Sequence, residues 1–440
     1  MSDLSETYFP NLDGIIRGIL FLYCFSLPFE KLVFLERSGF IILVVLIVLW
    51  CVVNRRLFFS RTPLDIPLLA LVVCIAISLP FSASVSYSSQ EFAKLIQQVL
   101  IFYVIVEFFR HDKHRLRLAA LLLGELGFVS LYGIVQYDAT PKLISSVLSG
   151  EVWLTTYLVT LVPLGAAFAM LAIMDKRPIQ VVTGVGISFL ALLCQVLTFS
   201  RAGIVAMLCE AVAFACVARR KSLVKWVVGL VFTVILFNGI LVGINAIHPV
   251  QFMPSNSKLS LWNIKSRIMV WQLGLEQLWE HPLVGIGFGK SNFYHVAQAD
   301  VSPAPSDDGG PPMATGLHNT FLDFAVGAGI PAGLAYLWVM AEAMRTGFRR
   351  AQSMKESALA IWPMMLMVMV VGVFVRNMFD HMWIGTMAIQ FWVLVGLSIS
   401  VPSEQNELPP KFRLPRVTYN RRHHERGDDE DTEAAIHLRV

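Results

Sequence analysis

The sequence predicts an all-α polytopic membrane protein with about twelve transmembrane helices, on three observations. Of its 440 residues 56% are hydrophobic and only 15% are charged, whereas soluble domains carry roughly a quarter charged residues. Its apolar residues fall in long runs, and a helix needs about 20 of them to cross the hydrocarbon core. Most of its 35 Lys and Arg fall in alternate loops and the C-terminal tail, the distribution expected when those segments share the cytoplasmic side of a bilayer.

The apolar runs begin near residues 14, 38, 65, 93, 117, 152, 179, 204, 226, 318, 357 and 384. The first is interrupted by Arg17 and Pro28. The groups Arg55/Arg56/Arg61, Arg110/Lys113/Arg115/Arg117, Lys176/Arg177, Arg219/Arg220/Lys221/Lys225 and Arg345/Arg349/Arg350/Lys355 fall on one face, joined by the cations of the C-terminal tail. That face is cytoplasmic by the positive-inside bias, so both termini are expected inside. Residues 1–246 then hold helices one to nine, and 247–317 form one long extracytoplasmic loop. Residues 318–401 hold the last three helices, and 402–440 form a cytoplasmic tail whose charged, core-poor composition predicts disorder. The paired His423 and His424 in that tail fit a solvated segment better than a metal site.

Several classes are set aside by the same reading. A net charge of +4 is too small to suggest a nucleic-acid partner. The six cysteines, at 24, 51, 74, 194, 209 and 216, all lie inside apolar runs, with neither a disulfide framework nor metal-ligand spacing. The N-terminus "MSDLSETYFPNLDG" has no basic n-region and no A-x-A site, so no removable signal peptide is expected.

The chemistry-bearing residues sit on the other side. Arg201 in "LTFSRAGIVAM", Arg267 in "IKSRIMVWQLGLEQLWEHPLVGIGFG", Arg376 in "FVRNMFDHMW" and His318 at the head of the tenth span all fall at the outer interface in this topology. A single arginine there often reaches for lipid headgroups. Three with a histidine at one level, against the charge bias, point to a cavity with a function. Guanidinium suits two-point contact with phosphate oxygens and keeps its charge when partly desolvated, so the group predicts an outward-opening site for a lipid-linked phosphate or diphosphate.

The long loop supplies a support. Ile264, Ile268, Trp271, Leu275 and Leu278 recur at helical spacing, which predicts an amphipathic helix along the interface. Arg267 and Trp271, four residues apart, fall on neighbouring turns of it. The glycines 285, 287 and 289 of "GIGFG" follow Pro282 rather than a strand, so they are not a dinucleotide fingerprint. Asp307 and Asp308 in "PSDDGGPP" are read as a mobile turn rather than a cation site.

Three stretches taken together, "SRAG", "SRIMVWQLGLEQLWEHPLVGIGFG" and "HNTFLDFAVGAGIPAG", resemble the O-antigen ligase and polymerase superfamily of bacterial envelope biogenesis. Ligases of that family carry a histidine followed by Asn, Ser or Gln and then a glycine pair. His318-Asn319 matches, while Gly329 and Gly333 approximate the pair at a spacing one residue longer, with Leu334 in place of the usual threonine. That departure leaves ligase and polymerase both open.

The resemblance implies a membrane glycosyltransferase of the GT-C type in the bacterial inner membrane, with its active site facing the periplasm. It would move a polysaccharide from undecaprenyl diphosphate to the lipid A-core oligosaccharide, with neither metal nor other cofactor. By motif match Arg201 and Arg267 become diphosphate binders and His318 the essential histidine. Arg376, Asn319 and Trp271 are expected to join the substrate contacts, and Lys31, Arg37 and Asp380 are acceptor-binding candidates. A polymerase would use a second lipid diphosphate as its acceptor. A lipid-linked-sugar transporter predicts mid-span charges and internal repeats. Most spans lack mid-membrane charges, Glu125, Glu210 and Asp323 being exceptions, and no repeat is visible, which disfavours the transporter.

Overall fold

In a computed structural model, residues 12–137, 144–217, 262–300, 316–354, 358–380 and 385–401 are described, and every regular element among them is helical. The helices are α1 (Leu12–Ser26), α2 (Val33–Asn54), α3 (Asp65–Ser78), α4 (Val85–Phe108), α5 (Asp112–Val135), α6 (Glu151–Met174), α7 (Pro178–Leu197), α8 (Arg201–Val217), α9 (Trp262–Glu280), α10 (Lys290–Asp300), α11 (Thr320–Ser353), α12 (Ile361–Asn377) and α13 (Gly385–Ile399). Each predicted span has a helix at its position except the one near residue 226, which lies outside the described residues, as do Asp307, Asp308 and the 402–440 tail.

Among the described residues, five stretches are long and apolar enough to cross a membrane: Glu30–Asn54, α5, α6, α7 and α11; Asp65–Phe81, α12 and α13 are apolar but shorter. The chain is therefore a polytopic helical membrane protein. α6 is apolar around most of its circumference and packs on α5, α7, α8, α12 and α13, as a helix without a polar face must. α2 and α7 instead leave apolar rows open, with Val45, Val48 and Val52 on the first and Ile179, Val182 and Phe189 on the second exposed. Such rows are costly against water and find their solvent in lipid.

α9 stands where the amphipathic helix is predicted. Ile268 and Leu275 of the predicted stripe are exposed together with Met269 and Trp279. Leu278 of the stripe instead packs with Val270 and Leu273 on Ile286, Phe293, Leu317 and Val326 in a small second core. The helix is thus apolar on two sides, one held by protein and one left open.

α11 is two helices in one. At Ala328 and Gly329 the backbone leaves helical geometry, Gly329 taking φ 87°. A straight helix would put Phe324 and Tyr336 about 18 Å apart at 1.5 Å per residue, yet their rings stack with centroids 4.4 Å apart. The first two turns thus fold back across the third, and a side chain on Gly333 would press to within 2.9 Å of Ala325. A bend of this kind orphans backbone groups, which must find partners if they are buried. The 282–287 segment provides them. Ile286 N–H donates to Val326 O at 3.0 Å, Gly287 N–H to Gly327 O at 2.9 Å, and Ile330 N–H to Pro282 O at 2.8 Å. Pro331 has no N–H to satisfy and opens the lower helix, a position proline favours. This is the physical role of the 285–287 segment and of Gly329 and Gly333 in "GAGIPAG".

The same loop is stitched to the α3–α4 connection. Ala83 N–H donates to Ile286 O at 2.9 Å. The fully buried Asn292 donates to Ser88 Oγ at 2.9 Å and accepts from Ser84 N–H at 3.1 Å. Gly329→Ala should accordingly lower the thermal unfolding midpoint, since the new methyl would run into Leu283 O at a φ that alanine avoids. The strain alone is worth roughly 1–3 kcal/mol. An unchanged midpoint in detergent would contradict this account of the bend.

Candidate active site

Arg201 is placed by a tight α7–α8 turn. The Thr198 hydroxyl closes α7, donating to Gln195 O at 2.7 Å and accepting from Ser200 N–H at 3.3 Å. Phe199 reverses the chain at φ 52°, and Ser200 caps α8 by accepting from Gly203 N–H at 3.4 Å, a role serine favours. Any side chain at Gly203 would strike Gln195 and Thr155, so "SRAG" sets Arg201 at the first turn of a helix seated directly on its neighbours.

His318 stands at the head of α11 with φ 48°, the left-handed region that side-chain-bearing residues seldom occupy. Both flanks hold it there. On one side Leu317 is buried and its carbonyl accepts from Trp271 Nε1 at 2.8 Å. On the other Asn319 caps the helix, its Oδ1 accepting from Phe321 N–H at 3.0 Å and Leu322 N–H at 3.2 Å. The next residue, Thr320, donates its hydroxyl to Asp380 O at 2.9 Å.

That last bond brings the end of α12 to His318. Asp380 Oδ1 lies 3.5 Å from His318 Nδ1, at the outer limit of a hydrogen bond. Asp380 Oδ2 accepts from Arg376 at 2.9 Å, the pair being 10% and 2% exposed. Arg267, from α9, donates to Phe379 O at 2.6 Å. Burial pushes the Arg267 guanidinium below its ordinary pKa; Asp380 works against that shift, and Arg376 and Arg201 add to it. All three arginines thus share one neighbourhood with Asp380, and clustering like charges there is costly in a way a bound anion would offset.

The predicted residues divide on these observations. Arg201, Arg267, Arg376, Asp380 and His318 are brought together. Trp271 and Asn319 adjoin them, but their hydrogen bonds go to backbone: Trp271 fixes the residue before His318 and Asn319 caps the helix after it. Arg376, expected to face substrate, is buried against Asp380. Lys31 and Arg37 are exposed on the α1–α2 side, and no hydrogen bond or ion pair among the described residues links them to the cluster. Thr320 and the Phe379 carbonyl hold the cluster without having been foreseen. A threonine after a helix cap carries no signal of a partner sixty residues on. Among the described residues no group of His, Cys, Asp and Glu is suited to a metal ion.

A helical membrane bundle with a histidine, a carboxylate and three guanidiniums gathered at one end has the makings of a site for anionic, lipid-borne substrates. Residues 186–337, about a third of the chain, match the family model described as O-antigen ligase. The matched span contains Arg201, Arg267, His318 and the bend of α11; Arg376 and Asp380 fall beyond it. No curated protein matches the chain.

Proposed function

We propose that the protein is an O-antigen ligase, a GT-C-type glycosyltransferase of the inner membrane. It moves a polysaccharide from undecaprenyl diphosphate to the lipid A-core oligosaccharide at the periplasmic face. The observation that carries this reading is the His318–Asp380–Arg376 chain with Arg267 beside it. Asp380, held by Arg376, orients the imidazole so that Nδ1 carries the proton and Nε2 is the basic nitrogen, the arrangement by which a carboxylate sets up a catalytic histidine. The acceptor hydroxyl gives its proton to Nε2 as its oxygen attacks the anomeric carbon. The bond from that carbon to the diphosphate oxygen breaks, and undecaprenyl diphosphate departs with the electron pair. Arg201 and Arg267 face the developing negative charge, a form of fixed stabilisation that is often the largest catalytic contribution. Arg376 serves this site by holding Asp380, not by meeting phosphate. In this reading residues 247–317 lie in the periplasm and both termini in the cytoplasm.

Two measurements test it. A deletion strain of the host should lose all long-chain lipopolysaccharide and accumulate lipid-linked polymer; lipopolysaccharide bearing a single repeat would mark a polymerase instead. In purified enzyme, Arg201→Lys and Arg267→Lys should each slow transfer by about ten- to a hundredfold. That matches the ~1.5–3 kcal/mol of a hydrogen bond to a charged group, because an ammonium cannot reproduce the planar fork. Lysine variants that both keep more than half the wild-type initial rate would leave these residues as headgroup anchors.

A further inference from the structure

We propose that the pocket beside Leu317 binds one edge of a sugar ring, and so completes the diphosphate site with a separate saccharide subsite; this rests on the glycosyl-transfer reading above. The pocket is small and part-open. Three elements bring ionisable side chains to its wall: Glu91 from the second turn of α4, Lys290 from the start of α10, and Asp323 from the first turn of α11. Apolar lining comes from Phe288 and Phe324, whose rings lie 5.6 Å apart. The backbone of Gly287 and Gly289 forms another side, and a side chain at Gly289 would press on Glu91 and Tyr87 at 2.7 Å.

The charge balance selects the ligand class. Glu91 and Asp323 meet Lys290 there, and Glu91 also holds Lys94 Nζ at 2.6 Å, so the pocket lacks the excess of positive charge that the arginine cluster around Asp380 offers a phosphate. A purely apolar ligand suits it no better, since it would desolvate charged groups while giving them no hydrogen bond. What remains is a compact ligand with hydroxyls on its rim and C–H groups on its face. Hydroxyls donating to carboxylates make short, charge-assisted bonds, and aromatic walls with a few placed polar groups are the usual make-up of a small-molecule site. A sugar ring has that chemistry.

Position supports the assignment. Leu317, which closes one wall, is the chain neighbour of His318. Asp323 lies one helical turn beyond Asn319, its N–H donating to Asn319 O at 2.9 Å. The histidine therefore adjoins both a cationic cluster fit for the diphosphate and a charge-balanced, aromatic pocket fit for a saccharide. Both donor and acceptor carry sugars, and the pocket's chemistry is common to either.

Kinetics of the full chain in nanodiscs separates the sources. Glu91→Gln and Asp323→Asn should each raise KM for one glycosylated substrate by about tenfold, with kcat within threefold. The inhibition constant of undecaprenyl diphosphate, which carries no sugar, should stay unchanged. A rise confined to the lipid-linked donor places its sugar in the pocket; a rise confined to the acceptor places the acceptor's there. If neither KM moves beyond twofold, or if undecaprenyl diphosphate binding weakens in step with KM, the proposal falls. A wild-type protein without transferase activity would defeat the glycosyl-transfer reading instead. The pocket would then be judged by saturation-transfer NMR with free glucose and N-acetylglucosamine. Signal lost in both variants would sustain it, and no signal with wild type would overturn it.

Discussion

Replacing His318 with alanine is expected to cut transfer by about 10²–10⁴-fold, the usual contribution of a general base, while the protein still inserts. The backbone complicates the choice of substitution. His318 sits at φ 48°, where alanine is strained, so some loss could come from a displaced helix end. Asparagine tolerates this region better than other side chains and cannot act as a base, which makes His318→Asn the sharper variant. Both should lose activity in a purified assay with lipid-linked donor and acceptor, and the asparagine variant should keep its unfolding midpoint closer to wild type. Near-normal product from either variant would remove His318 from the chemistry.

Asp380→Asn is expected to lower the rate by on the order of 10²-fold or more, because the neutral amide no longer fixes the imidazole tautomer. It should also destabilise the fold. Arg376 is 2% exposed and pairs with this carboxylate at 2.9 Å, and leaving one partner of a buried pair uncompensated costs roughly 3–5 kcal/mol. The two effects are separable. Adding Arg376→Gln to Asp380→Asn removes the stranded charge, so stability should recover in part while activity does not. A double variant that regains both would mean Asp380 acts on packing alone. Asp380→Asn retaining more than half the wild-type rate would exclude it as the orienting carboxylate.

The helices were largely legible in the sequence because membrane spans are written in composition: a run of apolar residues has few alternatives to a helix. Their positions were found even where, as in α12 and α13, the helix proved shorter than a full crossing. The arginines were legible because a cation outside the expected face is conspicuous. Contacts made through backbone were not. Trp271, Asn319 and Thr320 bond to carbonyls or N–H groups, and such partners leave no residue-type signal. The second apolar side of α9 was not foreseen for a related reason, since an exposed apolar residue in a membrane protein looks the same as a buried one. The service of the "GIGFG" segment to a bend forty residues away is visible only once the two segments meet.

The break in α11 carries a mechanical consequence. The two turns bearing the histidine's cap are tied to the 282–287 segment and to Asp380, whereas the helix below Pro331 answers to the bundle. One residue inserted below the break would rotate everything beneath it by about 100°. It would leave the upper turns in place, because the torque has no continuous ladder of hydrogen bonds through which to climb. The hinge thus works as insulation: the lower helix is free to drift in sequence and length against its neighbours without turning His318 away from Asp380.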